Sequence, residues 1–302
     1  MKPTISVIVC THNPRHDYLQ RVLQALQNQS LSRENWELLL IDNASKTVLA
    51  EEINLQWHPL ARHIREEKLG LTHARLRGIE ESTGKVLIFV DDDNVLDSDF
   101  LENNLQIEKD WSVLGAWGGR IVAEFETEPP EWTKPYWDLL AIREFEEDRW
   151  SNSSDRNHAV PCGAGLCIRK VVAQKYAELV SQDSRRALLG RKGGLMTSCE
   201  DSDLALTACD LGLGTGQFKS LKLTHLISSN RIKEDYLISL VKGIAYSSTI
   251  LKALRGKLPI QSCNSQKIFE KYKRWRMKYR ERYFYDAKQI GEKMAFEEIA
   301  SW

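Results

Sequence analysis

Short apolar runs alternate with amphipathic segments along the first third of the chain. Residues 5–10, 36–41 and 86–90 are predominantly apolar, a pattern typical of strands that are buried on both faces. Between them, residues 19–26 and 72–82 repeat apolar side chains at helical spacing. Strands and helices that alternate at this interval predict an α/β fold with a mostly parallel central sheet flanked by helices.

Polar side chains follow each of the three predicted strands. They are Thr11 and Asn13 after the first strand, Asp42 after the second, and Asp91, Asp92 and Asp93 after the third. Ligands in sheets of this kind bind beyond the carboxyl ends of the strands, so we expect the three groups to share one crevice. Adjacent carboxylates repel one another unless a cation lies between them, and hard divalent ions prefer oxygen ligands. The triple aspartate therefore favours a divalent metal site, with a solvated acidic turn as the alternative.

From about residue 111 the pattern changes. Five tryptophans lie among prolines and acidic residues and are candidates either for the core or for a sugar-stacking platform: Trp111, Trp117, Trp132, Trp137 and Trp150. Residues 159–168 resemble a strand interrupted by glycines, and a helix is predicted from Lys170. Glu200 and Asp201 open a further helix that Gly212 ends, where they serve either chemistry or the helix dipole.

Residues 181–199 are polar, basic and rich in glycine, which predicts a mobile loop. We expect this loop either to close over a bound ligand or to be an ordinary flexible surface loop. The basic side chains that would meet an anionic ligand are Arg185, Arg186, Arg191 and Lys192, with hinges at Gly190, Gly193 and Gly194.

Composition narrows the class of protein. The chain has 302 residues with 42 basic and 42 acidic side chains, so no global charge favours nucleic acid as a partner. Six cysteines without a CxxC pair predict reduced thiols, and no clustered zinc ligands are visible. The N-terminus lacks the pattern of a signal peptide, and no apolar run approaches the ~20 residues of a membrane helix. We therefore expect a cytoplasmic protein.

The last segment, residues 231–302, is predicted to be a helical, basic appendage. Ile268, Tyr272, Trp275 and Tyr279 recur at helical spacing among many lysines and arginines. Such a stripe suits peripheral contact with an anionic membrane, at its inner face, and it equally suits packing against the rest of the protein.

Taken in order, these segments resemble the inverting nucleotide-sugar glycosyltransferases of family two, which have a GT-A fold with a Rossmann-like sheet. The resemblance covers about residues 4–228 and is carried by TISVIVCTHNP, LLLIDNAS, LGLTHARLRGI, TGKVLIFVDDDN, CGAGLCIRK and CEDSDLALTACDLGLG. It implies a catalytic domain over residues 1–230, with a nucleotide-sugar half at about 1–110 and an acceptor half at about 111–230.

The resemblance also implies roles for individual residues. Thr11, Asn13 and Asp42 would contact the nucleoside of the donor, with UDP the expected nucleotide, and Arg75 would reach the base or diphosphate. Asp91 and Asp92 would bind the donor, Asp91 and Asp93 would bind manganese or magnesium, and His225 would add a metal contact. Glu200 and Asp201 match the catalytic pair of the family, in which the aspartate is the base. The glycine that usually precedes this pair is Cys199 in this chain.

The implied activity is transfer of a sugar to a hydroxyl of a glycan or lipid-linked acceptor, in cell-surface polysaccharide synthesis. Two alternatives share the α/β architecture or the ligand. A sugar-phosphate nucleotidyltransferase also binds nucleotide and magnesium, but the first loop, CTHNPRHD, lacks the glycines of a phosphate loop. A non-catalytic nucleotide-sugar-binding protein would not need both carboxylate groups. The oligomeric state is left open.

Overall fold

The computed structural model describes residues 2–155, 158–191, 196–257 and 272–302. Within these ranges the strands are β1 (Ile5–Thr11), β2 (Trp36–Asn43), β3 (Ala61–Glu66), β4 (Val86–Asp91), β5 (Asn94–Leu96), β6 (Leu114–Phe125), β7 (Arg149–Ser151), β8 (Leu166–Arg169) and β9 (Gly214–Ile227). The α-helices are α1 (His16–Gln27), α2 (Leu71–Glu81), α3 (Phe100–Asp110), α4 (Lys170–Gln182), α5 (Glu200–Asp210), α6 (Glu234–Leu254) and α7 (Tyr279–Ile299). Short 3₁₀ helices lie at Arg33–Asn35, Leu49–Glu51, Glu131–Leu140, Ser184–Leu189 and Ser229–Ile232.

The described strands form one sheet in the order β3-β2-β1-β4-β8-β6-β9-β5, with β7 also paired to β9. The first four strands in this order, β3, β2, β1 and β4, are parallel to one another, whereas β8 runs antiparallel to both β4 and β6. Strands β6 and β9 are parallel, and β5 and β7 run against β9. The predicted α/β fold is confirmed, as a sheet that is parallel in its first half and mixed in its second.

Both faces of β1 are buried, which explains its apolar sequence. Val7 and Val9 pack with α1 and α3 on one face, and Ile8 packs with α2, α4 and α5 on the other. Each fully buried side chain of this size contributes about 1.5–3 kcal/mol. A Cβ at Gly78 would lie 2.4 Å from Cγ2 of Ile8, so this glycine lets α2 approach the sheet closely.

Strand register places the predicted polar groups together. Thr11 pairs with Asp42 across β1 and β2, and Cys10 pairs with Asp91 across β1 and β4. The polar residues after the three strands therefore share one edge of the sheet, as expected from the sequence.

The expectation that no segment has the length and hydropathy of a membrane span is wrong for α6. Its 21 residues reach a mean hydropathy of 1.3 over the most apolar window, and 44% of that window is buried. A core helix of a soluble protein meets the same length and hydropathy criteria, so these values alone do not assign a membrane span. The packing around α6 is close, since a Cβ at Gly291 of α7 would lie 2.2 Å from the carbonyl oxygen of Lys242.

Candidate functional site

A cavity of about 720 Å³ opens at the carboxyl edge of β1 and β4. Its volume is in the range of small-molecule and cofactor sites. Eight of the ten residues proposed from the sequence line it: Thr11, Arg75, Asp91, Asp92, Asp93, Glu200, Asp201 and His225. The predicted crevice therefore exists and holds both carboxylate groups.

Asp42 does not line this cavity. One carboxylate oxygen accepts a hydrogen bond from Ser45 N at 3.0 Å, and the other accepts from Leu49 N at 3.2 Å and from Arg65 Nη1 at 2.7 Å. These bonds lower the pKa of Asp42 although burial opposes them. These bonds hold the loop after β2. The expected contact of Asp42 with the nucleoside remains a prediction.

Asn13 is also outside the cavity lining. Its backbone φ of 47° lies in the left-handed region. Its backbone nitrogen donates to Ser45 Oγ, and its side-chain oxygen accepts from Lys46 N. The neighbours His12 and Asn43 line the cavity in its place, and His12 Nδ1 lies 2.7 Å from the Asn43 carbonyl oxygen. The expected contact of Asn13 with the nucleoside remains a prediction.

The three aspartates after β4 face different partners. Asp91 Oδ1 lies 3.5 Å from Nη2 of Arg75, and Asp92 accepts a hydrogen bond from the Thr11 hydroxyl. Burial, together with the negative charge of Asp93, raises the pKa of Asp92 to about 7. Asp91 ends the strand and points to α2, whereas the chain has turned by Asp93 and enters β5.

Asp93 is brought to His225 by a strand of three residues. Leu226 N donates to the Asp93 carbonyl oxygen at 2.9 Å, and β5 continues the pairing with β9. Asp93 Oδ2 then lies 3.3 Å from His225 Nε2 and accepts a 2.7 Å hydrogen bond from Nη1 of Arg231. Burial raises the pKa of Asp93, but His225 and Arg231 outweigh it and hold that pKa well below its ordinary value.

The donor atoms of Asp93 and His225 fit a divalent ion. Adjacent ligands of an octahedral ion at 2.0–2.1 Å are separated by about 3 Å, close to the observed 3.3 Å. No third Asp, Glu, His or Cys joins these two in a metal-binding group among the described residues, so the predicted set of Asp91, Asp93 and His225 is not formed. Asp91 is turned to Arg75 instead. Magnesium sites in proteins commonly use only one or two side-chain ligands, carboxylates above all, and substrate phosphate oxygens complete the coordination.

The second carboxylate pair lies at the start of α5. Asp201 accepts hydrogen bonds from Gly163 N at 2.7 Å and from Ser202 N at 2.6 Å, and these backbone amides fix its orientation. Glu200 is buried and its Oε1 lies 3.2 Å from Nη1 of Arg75. Burial raises the pKa of Glu200 to about 7, although the Arg75 guanidinium opposes the change.

Arg75 therefore joins the two halves of the site by contacting Asp91 and Glu200. A Cβ at Gly163 would lie 2.5 Å from Nη2 of Arg75, so this glycine provides the space that the guanidinium occupies. Both contacts are with carboxylates of the protein. The expected role in binding the nucleoside base or diphosphate remains a prediction.

Cys199, which stands where the family usually has glycine, has a φ of 136°. This backbone region costs a non-glycine residue about 1–3 kcal/mol unless its surroundings enforce it. The enforcement comes from α6, where Ser247 Oγ accepts from Ser198 N and Ser248 Oγ lies 3.6 Å from Cys199 Sγ. The predicted C-terminal appendage thus supports the turn that presents Asp201.

Two of the arginines expected to reach a ligand from the loop at 181–199 do not. Arg185 pairs with Asp183 and stacks over Trp302, and Arg186 pairs with the buried Asp203. Arg191 does line the cavity. Lys192, Gly193 and Gly194 lie outside the described residues.

Four of the five tryptophans belong to the packing of the protein, whereas Trp150 is exposed. Trp117 is fully buried and donates to Asn104 Oδ1, while Trp111 packs against Phe218. Within the described residues, the cavity lining includes none of the five. The sugar-platform interpretation of this segment therefore lacks support.

Arg231 is a charged site residue that sequence reasoning missed. It lines the cavity from the Ser229–Ile232 turn, just beyond the predicted end of the catalytic domain at residue 230. The only local signal was an arginine six residues after His225, and no periodic pattern marks it.

Comparison with known proteins agrees with this geometry. A family model described as glycosyl transferase family 2 matches residues 6–175, more than half of the chain. TuaG of Bacillus subtilis, described as a teichuronic acid biosynthesis glycosyltransferase, is 30% identical over 109 residues, which are 35% of this chain and 42% of TuaG. The chain thus matches less than half the length of that relative.

Solved structures show the same fold at low identity. The mannosyltransferase PcManGT from Pyrobaculum calidifontis, in complex with GDP-Man and Mn²⁺, superposes with a TM-score of 0.58 at 17% identity, covering 100% of this chain and 75% of that one. TarS 1–349 of S. aureus, in complex with UDP-GlcNAc, gives 0.53 at 15% identity, covering 95% and 79%. With the family match, the carboxylate-lined cavity and this GT-A fold, the chain belongs to glycosyl transferase family 2.

Proposed function

We propose that the protein transfers a sugar, with inversion, from a UDP-sugar to a hydroxyl group of a glycan or lipid-linked glycan in a metal-dependent reaction. The proposal rests on one cavity that has carboxylates at both ends, and the contacts that hold these carboxylates differ between the two ends. Asp93 and His225 present cation ligands at one end, and Asp201 is oriented by backbone amides at the other. UDP-GlcNAc and GDP-Man with Mn²⁺ are bound by the two structural neighbours, which supports a nucleotide-sugar donor. The family match disfavours the nucleotidyltransferase and the non-catalytic binding protein.

The donor end serves the leaving diphosphate. Asp93 and His225 would hold the divalent ion, which supplies positive charge to the departing phosphate oxygens. Arg231 and Arg191 line the same cavity and add positive charge. Thr11 keeps the Asp92 carboxyl turned toward β1 by its hydrogen bond.

The acceptor end serves proton removal. Asp201 accepts the proton of the acceptor hydroxyl as its oxygen bonds to the anomeric carbon and the bond from that carbon to the diphosphate breaks. Attack from the face opposite the diphosphate inverts the configuration. Because both Asp201 oxygens already accept from backbone amides, the carboxylate is held in one orientation for this step.

Product analysis tests the reaction without a known acceptor, because water can replace the acceptor hydroxyl slowly. We expect release of UDP, and no pyrophosphate, from at least one member of a panel of UDP-sugars when manganese is present. The first sugar anomer seen by NMR should be inverted relative to the donor. Release of pyrophosphate, or a retained anomer, would contradict the proposal.

We further propose that the C-terminal region contacts an anionic membrane, which would place the enzyme near a lipid-linked acceptor and give it a peripheral cytoplasmic location. Trp275 and Tyr279 are 71% and 74% exposed, and Tyr272 is exposed beside them. Ile268, the fourth residue of the predicted stripe, lies outside the described residues. Exposed aromatic rings among cations suit the headgroup region of a bilayer.

The positive charge of residues 272–283 also favours an anionic membrane as the partner. Six basic residues lie in 272–283 against Glu281 alone: Lys273, Arg274, Arg276, Lys278, Arg280 and Arg282. Arg274 pairs with Asp286, which Arg282 also approaches, and Arg280 pairs with Glu234. Each lysine or arginine near an anionic surface adds about 1 kcal/mol of binding.

Liposome sedimentation of the full chain tests this contact. The wild-type protein should sediment with vesicles rich in phosphatidylserine at low salt, and Trp275→Ser combined with Lys278→Gln should weaken sedimentation about tenfold or more. Val171→Ser, an exposed apolar residue on α4, is the matched control. Equal sedimentation of both variants, or self-association of the wild type in place of vesicle binding, would contradict the proposal.

A further inference from the structure

Arg231 occupies the position that a metal ion would share with Asp93 and His225. Its Nη1 lies 2.7 Å from Asp93 Oδ2 and 2.9 Å from His225 Nε2, and those two atoms are 3.3 Å apart. One guanidinium nitrogen thus touches both of the atoms that fit a divalent ion. The protein supplies its own cation at this point.

The contact defines the state of the histidine. An arginine only donates, so His225 Nε2 must accept and present its lone pair to the guanidinium. A lone pair on a neutral imidazole is also what a metal ion binds. Nδ1 of His225, which carries the proton in this form, is buried without a partner among the described residues. The guanidinium and a metal ion therefore need the same lone pairs and exclude each other.

Arg231 is less enclosed than Arg75, whose side chain is 4% exposed. It extends from the short Ser229–Ile232 turn, its side chain is 16% exposed, and its buried Nε has no partner among the described residues. Outside the Asp93–His225 pair it interacts with the Tyr236 side chain and faces the cavity that it lines. A diphosphate in this cavity would be the nearest new anion once Asp93 is bound by metal.

We propose that Arg231 is an exchangeable resident cation: it neutralises Asp93 and occupies the lone pair of His225 until the metal binds, and then transfers its hydrogen bonds to the diphosphate of the donor. The inference rests on the proposed function for the identity of the donor. It makes Arg231 a competitor of the metal in the absence of nucleotide and a ligand of the nucleotide in its presence. A purely structural arginine would have neither effect, and a simple phosphate ligand would have only the second.

Two affinities, measured by titration calorimetry on the full chain, test this exchange. With Mn²⁺ alone, Arg231→Gln should bind the ion about tenfold more tightly than the wild type, because the competing cation is gone. With Mn²⁺ saturating, the same variant should bind UDP about ten- to a hundredfold more weakly, because charge-assisted hydrogen bonds to the diphosphate are lost. Arg231→Lys, which keeps the charge, should lie between the two proteins in both titrations.

Arg21→Gln is the matched control, since Arg21 pairs with Glu124 on the exposed surface and should leave both affinities unchanged. An Mn²⁺ affinity that is equal or weaker in Arg231→Gln overturns the exchange, provided that its far-ultraviolet circular dichroism and melting temperature match the wild type. If Arg231→Gln does not fold, equal Mn²⁺ and UDP affinities in wild type and Arg231→Lys overturn it. Neither titration requires turnover, so a failure of the proposed sugar transfer would be recognised separately.

Discussion

Two arginines neutralise the carboxylates of this site in opposite ways. The Arg75 side chain is 4% exposed, bridges Asp91 and Glu200, and packs over the Phe89 ring at 5.5 Å. Arg231 reaches Asp93 from a short turn at the cavity wall. The first arginine belongs to a buried framework, and the second can change partner. We therefore expect a fixed geometry around Glu200 and Asp201 and, by the proposed exchange, a changeable charge around Asp93.

The largest effect should come from removing the base at the fixed end. Asp201→Asn keeps the shape of the side chain and removes its basicity, which we expect to lower kcat by about 10²–10⁴-fold. The dissociation constant for UDP should remain within about twofold, since the proposed mechanism has Asp201 act on the acceptor and not on the nucleotide. Steady-state kinetics and calorimetry measure the two quantities, and Asp210→Asn at the far end of α5 is the control. A near-normal kcat would remove Asp201 from the mechanism.

The two arginines should differ in their contribution to stability. Arg75→Met leaves Glu200 and Asp91 without their buried partner, which should lower the free energy of unfolding by about 3–5 kcal/mol. Arg231→Met should lower it by only about 1 kcal/mol, because Asp93 stays in contact with cavity solvent. Urea denaturation of both variants gives the comparison. Equal losses would mean that Arg231 is as structural as Arg75.

The pH dependence of stability should follow Glu200. Burial raises its pKa from 4.5 to about 7, so the unfolded chain loses this proton at lower pH than the folded protein. The wild-type free energy of unfolding should therefore fall as pH rises from about 5 to 7, by up to about 3 kcal/mol. Glu200→Gln cannot ionise and should lack that part of the fall, while the contribution of Asp92 is common to both proteins. Parallel curves from urea denaturation at pH 5, 6, 7 and 8 would contradict the buried position of Glu200.

Much of the donor end could be predicted because strand periodicity and strand ends are local signals. The runs that became β1, β2 and β4 are apolar on both faces, and parallel strands bring their carboxyl ends to one edge. Thr11 and the three aspartates followed from that rule alone. Asp42 followed it too, but tertiary contacts with Arg65 and the loop amides turned its carboxylate away from the cavity.

The pairing of distant segments could not be predicted from local patterns, and only the family resemblance placed Asp93 and His225 at one metal. Asp93 meets His225 through β5, a strand of three residues that is too short to show a period. Arg231 joins them from a turn that sequence patterns assign to the start of a separate appendage. Residues of α6 support the turn at Cys199, a contact that depends on close packing at Gly243, where a Cβ would lie 2.1 Å from the Met196 carbonyl oxygen.

The central claim is that a metal held at Asp93 supports nucleotide binding. The effect of the metal on UDP affinity tests this claim most directly. Calorimetry of UDP binding to the wild-type protein, with saturating Mn²⁺ and again with EDTA, gives that effect in one comparison. The account predicts that Mn²⁺ tightens UDP binding by about ten- to a hundredfold and that Asp93→Asn abolishes the difference. An equal UDP affinity with Mn²⁺ and with EDTA in the wild type would contradict it.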